Sequence, residues 1–458
     1  MALSEQKNEG KIIRDLTVGS VPVVMLKFAM PLLASGLLQT LYNMVDMIVV
    51  GKFVGSNGLA AVSIGGEMLM LVTFVAMGMS NAGQILLARY VGENRRDLLG
   101  EMVATLFTFL LGTAIVLTVI FHFAYVPVLR YLNTPADSWE MTCQYTVTCV
   151  YGLIFIYGYN LVSAIMRGMG DSRHPFIFIA IASILNIILD LVFVAGMKMG
   201  PLGAALGTVI GQAVSFLFAL VVLFRNRVEI NFDFKPKSFR IHKEVFEPLL
   251  RLGVPMVLQS AAVQISMLFV NSYINAYGTT AVAVTGVGRK IESLIMVVAM
   301  AISSTGGAMI SQALGARKVD RVPKVVTTAL GVVFIPSAIL AVITWFHVDW
   351  LFGLFSDDPE VLGLANTYIP VAMVLYLGAW LRPAFLSLIN GTGNSKLNLM
   401  VGLMDGIVCR IGLSFLLGVL LDLGIMGFWF GNAISGLVPF FIGIVYLLSG
   451  TWKNRVSK

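Results

Sequence analysis

The feature that most constrains this chain is a series of apolar runs, each about 20 residues or longer, that recurs from end to end. A run of that length crosses the roughly 30 Å hydrocarbon core of a bilayer as a helix. The chain is 58% hydrophobic and only 12% charged, about half the charge of a soluble domain, so it needs lipid as its solvent. Runs that exceed one span suggest tilted or kinked helices. The predicted fold is an all-α integral membrane protein with twelve transmembrane helices, at residues 23–50, 57–87, 98–124, 140–165, 175–196, 201–224, 247–277, 281–313, 325–346, 362–387, 397–421 and 424–449.

The basic residues predict the orientation of these spans, because Lys and Arg collect in cytoplasmic loops. With the N-terminus inside, most of the 31 Lys and Arg residues fall in cytoplasmic segments, and the outside loops hold only Lys52, Arg130 and Lys198. We therefore expect a multi-pass protein of the cytoplasmic (inner) membrane with both termini in the cytoplasm. The net charge of +7 follows from this bias and does not indicate nucleic-acid binding.

The two halves of the chain repeat each other at an offset of 223 or 224 residues. Four landmarks recur in the same order: Pro31 with Pro255, Gly92 with Gly315, Gly168 of MRGMGDS with Gly391 of INGTGNS, and Gly203 of MGPLGAALG with Gly427 of LGIMGFWFG.

Halves with an even number of spans share one orientation, so they are expected to be related by an axis along the membrane normal. The predicted organisation is a cytoplasmic tail at 1–19, six-helix bundles at 20–224 and 247–450, a cytoplasmic linker at 225–246, and a second tail at 451–458. By analogy, two parallel bundles predict a transporter that rocks around a cleft.

Several segments in order resemble the multidrug and toxic compound extrusion (MATE) family, over essentially the whole chain. They are LYNMVDMIVVG, LARYVGENRRD, RGMGDSRHP, LNIILDLVF and GPLGAALGTVIGQ, with INGTGNSK and LMDGIVCRIG in the second half. The resemblance implies export of lipophilic, often cationic compounds in exchange for inward Na⁺ or H⁺.

The resemblance is closer to the branch whose essential acids lie in the first half. It implies a cation site at Asp46, Asn186, Asp190 and Thr208, which would be the metal ligands if the ion is Na⁺. Another branch has an acid in the seventh span, and the matching stretch here, MLFVNSYINAYG, has none.

The residues themselves support a cation site in the first half. Asp46 and Asp190 stand within apolar spans, where a carboxylate is costly and is functional by default. Asn186 and Asp190 are four residues apart and share one helix face. Oxygen ligands of this kind suit a hard cation such as Na⁺, and two neighbouring acids also suit a proton. The alternative is that these side chains only bond neighbouring helices.

Other polar residues are candidates for lining a substrate cavity. Gln39 and Asn43 lie within two turns of Asp46, and Tyr145 and Asn160 are further candidates; the resemblance places Gln39, Tyr145 and Asn160 in the cavity. In the second half, Glu292 is a candidate partner for a cationic substrate, or else pairs with Arg289 or Lys290. Asp405 and Arg410 are five residues apart and are interpreted mainly as a buried ion pair.

Pro31 and its repeat counterpart Pro255 are candidate hinges, because proline removes a helical hydrogen bond. The hypothesis is that ion binding neutralises the acids, bends the first helix and releases the drug; static kinks are the alternative. Coupling requires the two ligands to favour different states.

Two other functions, a flippase and an enzyme, are alternatives to drug export. A lipid-linked saccharide flippase of a related fold is expected to need a strongly cationic central cavity, and the embedded acids favour drug export. An enzyme is not indicated, because the chain lacks HExxH, GxSxG and a nucleotide-binding domain, and its histidines are scattered: His122, His174, His242 and His347. We expect no cofactor besides the coupling ion, no nucleotide, and function as a monomer in the lipid bilayer.

Overall fold

The computed structural model describes residues 12–132 and 134–455, and all regular secondary structure in these residues is helical. Within these residues eleven helices are long and apolar enough to cross a membrane, and a bent helix pair passes the same test together, which gives twelve spans when the pair counts as one. The fold therefore agrees with the predicted twelve-helix class. We name the spans α1 Val21–Val54, α2 Ser56–Gly92, α3 Arg96–Tyr131, α4 Ala136–Tyr151 with Leu153–Gly168, α5 Arg173–Gly196, α6 Pro201–Arg225, α7 Lys243–Asn275, α8 Thr279–Gly315, α9 Arg321–Gly353, α10 Pro359–Gly391, α11 Ser395–Leu420 and α12 Gly424–Ser449.

The fourth span differs from the single straight run expected at 140–165. It bends by 50° between Tyr151 and Leu153, at Gly152. A Cβ at position 152 would overlap the Val209 side chain of α6, so a residue without a side chain is needed where the two helices approach. This close approach is a feature of helix packing, which the apolar pattern does not report.

Two spans contain wider, π-helical turns. In α5 the segment Leu191–Gly196 is π-helical and follows directly after Asp190. In α11 the segments Leu403–Ile411 and Leu416–Leu420 are π-helical. Such turns interrupt the regular hydrogen-bond ladder and are frequent at functional sites.

Two contact-defined units divide the chain: residues 1–15 with 30–253, and residues 16–29 with 254–458. These boundaries differ from the predicted domains, because the linker joins the first unit and the start of α1 joins the second. The second assignment has a local cause. The Leu16 N–H donates to Gln312 Oε1 at 2.5 Å, and Lys318 donates to Thr17 Oγ1 at 2.7 Å. The predicted tails extend into residues 1–11 and 456–458, which lie outside the described residues.

Within each unit, hydrogen bonds join helices whose other contacts are apolar. In the first unit Tyr157 of α4 donates to the Val72 carbonyl of α2 at 2.7 Å, and Ser215 of α6 donates to the Phe178 carbonyl of α5 at 2.8 Å. In the second unit Trp429 Nε1 of α12 donates to Thr285 Oγ1 of α8 at 2.8 Å. Such bonds contribute to helix association in lipid, where burial of apolar surface between helices gives little driving force.

Large apolar side chains also cover the outer faces of the helices. Phe123 of α3 is 75% exposed and Leu448 of α12 is 79% exposed. Exposed apolar surface on this scale indicates contact with lipid.

Candidate cation site and a charge cluster

The first unit brings together the two acids that the sequence singled out. Asp46 of α1 is 9% exposed and Asp190 of α5 is fully buried. Their carboxyl groups lie within hydrogen-bonding reach of each other. Among the described residues, neither Asp46 Oδ1 nor Asp190 Oδ1 has a hydrogen-bond partner. A buried carboxylate oxygen without a partner costs free energy unless a cation or a proton compensates it.

Asn186 and Thr208 complete the group. With its NH₂ facing an acceptor and its oxygen facing a donor, the Asn186 amide donates to Asp190 Oδ2 at 3.2 Å and accepts from the Thr208 backbone N–H at 3.1 Å. The Thr208 hydroxyl lies 3.4 Å from the same amide. Asn186 therefore fixes the Asp190 carboxylate from one side and connects it to α6.

Gly207 forms the wall of this site on α6. A Cβ at position 207 would lie 2.6 Å from Asp190 Oδ1 and 3.4 Å from Asn186 Nδ2. The space beside the Asp190 carboxylate therefore depends on the absence of a side chain there.

The donor set fits a hard monovalent cation or a proton. Two carboxylates, an amide and a hydroxyl are the oxygen ligands that such ions take in proteins. Within the described residues no group of three or more His, Cys, Asp or Glu side chains is arranged to hold a metal, so the chemistry of a zinc site is not indicated. The orphaned oxygens of Asp46 and Asp190 are the atoms toward which a cation would be drawn.

A tyrosine that is not among the predicted site residues lies beside the acids. Tyr42 lies one helical turn before Asp46, and its side chain hydrogen-bonds to Gln39. It is close enough to Asp46 and Asp190 to interact electrostatically with both. Its spacing of four residues from Asp46 places both side chains on one face of α1, and this spacing is a signal that could have identified it.

The predicted cavity residues lie in different surroundings. Gln39 and Asn43 are exposed, and Tyr145 is buried in an apolar cluster that includes Val49 and Cys149. The Asn160 amide donates to the carbonyl of its own helix at Ile156, at 2.8 Å. These four belong to the first unit, whereas Glu292 belongs to the second, where it is half-buried.

In the second unit Asp405 forms ion pairs with two arginines. Arg410 Nη2 lies 2.8 Å from Asp405 Oδ1, and Arg382 Nη1 lies 2.7 Å from Asp405 Oδ2. Arg410 also donates to the side-chain oxygen of Asn432. The predicted pair of Asp405 and Arg410 is present, and Arg382 of α10 is added to it. Sequence spacing does not indicate this third member, because Arg382 stands 23 positions away on another helix.

The candidate hinges lie inside their helices. Pro31 is within α1, where Ser35 Oγ donates to the Pro31 carbonyl at 2.8 Å. Pro255 is within α7. Whether either proline acts as a hinge stays a prediction.

The comparisons with known proteins match this architecture. The MatE family model matches residues 31–192 and again residues 255–416. Both ends of the two matches are 224 residues apart, which confirms the internal repeat. The chain is similar to the probable multidrug resistance protein YoeA of Bacillus subtilis strain 168, with 27% identity over 98% of each chain. It is also similar to the probable multidrug resistance protein YpnP of the same strain, with 26% identity over 96% of this chain and 97% of the relative.

Solved structures share the fold. A multidrug resistance MATE family transporter in an outward-facing conformation superposes with a TM-score of 0.86, at 21% identity, over 96% of this chain and 98% of that chain. Because the family model covers well over half of the residues, in both halves, the chain belongs to the MATE family of transporters.

Proposed function

We propose that this protein is a cation-coupled antiporter that exports lipophilic, often cationic compounds, with Na⁺ or H⁺ entering in exchange. The observation that carries the proposal is the pair of buried acids, Asp46 and Asp190, each with an oxygen that no described residue satisfies. Family membership and the multidrug names of the relatives support export of small molecules, and they favour it over a saccharide flippase.

The proposed mechanism uses the acids as a switch of charge. Without a bound cation, two adjacent carboxylates repel each other inside the membrane. A Na⁺ or a proton between Asp46 of α1 and Asp190 of α5 removes this repulsion and draws the two helices together. Since Asn186 and the Thr208 backbone already hold Asp190 in place, α1 is the element that moves. Pro31 lowers the cost of bending α1, because no helical hydrogen bond is made at its nitrogen.

The same proposal places the protein in the cytoplasmic membrane with both termini in the cytoplasm, from the distribution of Lys and Arg. One chain contains both halves of the repeat, so we propose that it functions as a monomer, with the coupling ion as its only cofactor.

The test is gradient-driven efflux from proteoliposomes. Ethidium transport is followed under an imposed Na⁺ or H⁺ gradient, for the wild type and for Asp190→Asn at equal reconstitution. We expect one gradient to drive transport in the wild type and the substitution to abolish it. Asn carries no negative charge that could compensate the charge of the ion.

Asp422→Asn is the matched control, since Asp422 is exposed and its left-handed backbone suits Asn equally well. It is expected to transport like the wild type. Unimpaired gradient-driven efflux in Asp190→Asn would remove the proposed coupling site.

A further inference from the structure

The second half of the repeat carries an arginine where the first half has its cation site. The offset of 224 residues between the two family matches pairs Asn186 with Arg410, Asp190 with Ser414, and Thr208 with Asn432. The contacts correspond as well. Asn186 bonds to Thr208 in the first half, and Arg410 bonds to Asn432 in the second.

Arg410 therefore acts as a permanently attached cation. Its guanidinium is 3% exposed, and Asp405 and Asn432 hold it from two sides. Asp405 is fully buried and forms ion pairs with both Arg410 and Arg382, so the charge of its carboxylate is already compensated. A mobile cation is not needed at this position of the second half.

Arg382 and Arg289 add two further guanidinium groups to the cluster around Arg410 and Asp405, and they give it excess positive charge. Arg382 shares Asp405 with Arg410, and Arg289 of α8 donates to the neutral amide of Asn271 and forms no ion pair with a described residue. The remaining acid of the cluster is Glu292, one turn after Arg289. It interacts electrostatically with all three arginines. Three guanidiniums thus face two carboxylates. An uncompensated charge within membrane spans is costly and marks a functional site.

The excess charge is accessible on one side of the cluster. Asp405 and Arg410 are closed off, whereas the Arg382 side chain is 20% exposed and Arg289 is half-buried. The planar fork of an arginine matches the two oxygens of a carboxylate or the oxygens of a phosphate.

We propose that Arg289 and Arg382 bind an anionic group, a carboxylate or a phosphate, of the amphipathic molecule that the protein transports. The inference rests on the proposed export function and adds compounds that carry a negative group, zwitterions included, to its lipophilic cationic substrates. It goes beyond the expectation of lipophilic, often cationic substrates, in which Glu292 is a candidate partner for a cationic substrate or pairs with Arg289 or Lys290.

Binding of two matched dyes tests the proposal. The purified protein in phosphatidylcholine nanodiscs is titrated with tetramethylrhodamine, which has a free carboxylate, and with its ethyl ester, in which the carboxylate is masked. We expect the wild type to bind the carboxylate form more tightly. Arg289→Gln and Arg382→Gln should each weaken binding of the carboxylate form roughly tenfold and change binding of the ester little.

Lys290→Gln is the control, because it removes a positive charge from the neighbouring position, where the exposed ammonium lies 5.9 Å from the centre of the Phe355 ring. It should leave both affinities unchanged. Equal affinities of the wild type for the two dyes would overturn the proposal. So would equal losses for both dyes in variants that retain the wild-type melting temperature, because packing would then explain the arginines.

Two further measurements separate a lipid phosphate from the transported molecule, and failure of the anion site from failure of antiport. Phosphatidylglycerol in the nanodiscs should leave the preference for the carboxylate dye intact; its loss would assign the arginines to a lipid phosphate and overturn their assignment to the transported molecule. Binding is measured without an ion gradient. If the ester is exported by a gradient but no preference for carboxylate exists, the inference fails and the proposed function stands. If the protein prefers the carboxylate dye but no gradient drives export, the anion site stands and the proposed antiport is removed.

Discussion

At Gly207 the absence of a side chain gives the Asp190 carboxylate its room. The nearest atoms to a Cβ there belong to Asp190, Asn186 and Leu189, so the residue contacts the candidate cation site directly. A position of this kind affects ion binding without itself carrying a ligand.

We expect Gly207→Ala to weaken binding of the coupling ion about tenfold. The new methyl group would lie 2.6 Å from Asp190 Oδ1, and overpacking of this kind typically costs about 1–3 kcal/mol. The measurement is the Na⁺ or H⁺ concentration that half-saturates ethidium efflux. Gly112→Ala in α3 is the control, since nothing lies within 4 Å of a Cβ there. Equal ion dependence in both variants would show that the residues around position 207 shift to accommodate the methyl group without affecting ion binding.

Among the elements, α1 combines a ligand and a helix break. It carries Asp46 fifteen residues after Pro31, and the Ser35 hydroxyl bonds to the Pro31 carbonyl rather than to a neighbouring helix. A helix of 34 residues with a weakened turn near its start bends at lower cost than a continuous one.

Pro31→Ala is expected to slow gradient-driven efflux several-fold while leaving the affinity for the coupling ion unchanged. Alanine restores the N–H that proline lacks and stiffens the turn, and Asp46 lies more than four turns away from the change. Rates and half-saturating ion concentrations are measured in the same proteoliposomes. Pro336→Ala in α9 provides the comparison, because it removes a proline from inside a span of the second unit. If Pro31→Ala transported like the wild type, the proline would be a static kink.

At the scale of the whole molecule, the two halves share a repeat and differ in charge. The first half concentrates two acids with unsatisfied oxygens, and the second concentrates three arginines around Asp405 and Glu292. The repeat thus supplies one backbone arrangement twice, and substitutions at corresponding positions give each half a different set of buried charges.

Asp405→Asn should strongly destabilise the protein. Removing one partner of a buried ion pair costs about 3–5 kcal/mol, because the other charge is left buried without compensation. Here Arg382 and Arg410 would both lose their carboxylate. The melting temperature of the detergent-solubilised protein is the readout, and Asp349→Asn, at an exposed position bonded to Asn366, should change it little. A melting temperature equal to that of the wild type would show that Asn432 and Glu292 suffice to hold the arginines.

The candidate site illustrates how far the residues alone could be interpreted. Asp46 and Asp190 were identifiable because a carboxylate in an apolar span is rare for energetic reasons, and Asn186 because it lies one turn from Asp190. Tyr42, Gly207 and Arg382 were not identified. Tyrosine and glycine are common in membrane helices, and the partner of Arg382 lies on a different helix.

The sequence by itself determined the class of fold, the number of spans and the repeat, because the length of an apolar run and the recurrence of a pattern are properties of the chain. Only the tertiary structure decided which side chains meet. The need for glycine at position 152 depends on Val209 of another helix. The cation site depends on α1, α5 and α6 meeting within one unit, and the arginine cluster on α8, α10 and α11. Contacts between distant segments arise from helix packing, and helix packing is not encoded in the apolar period of any single span.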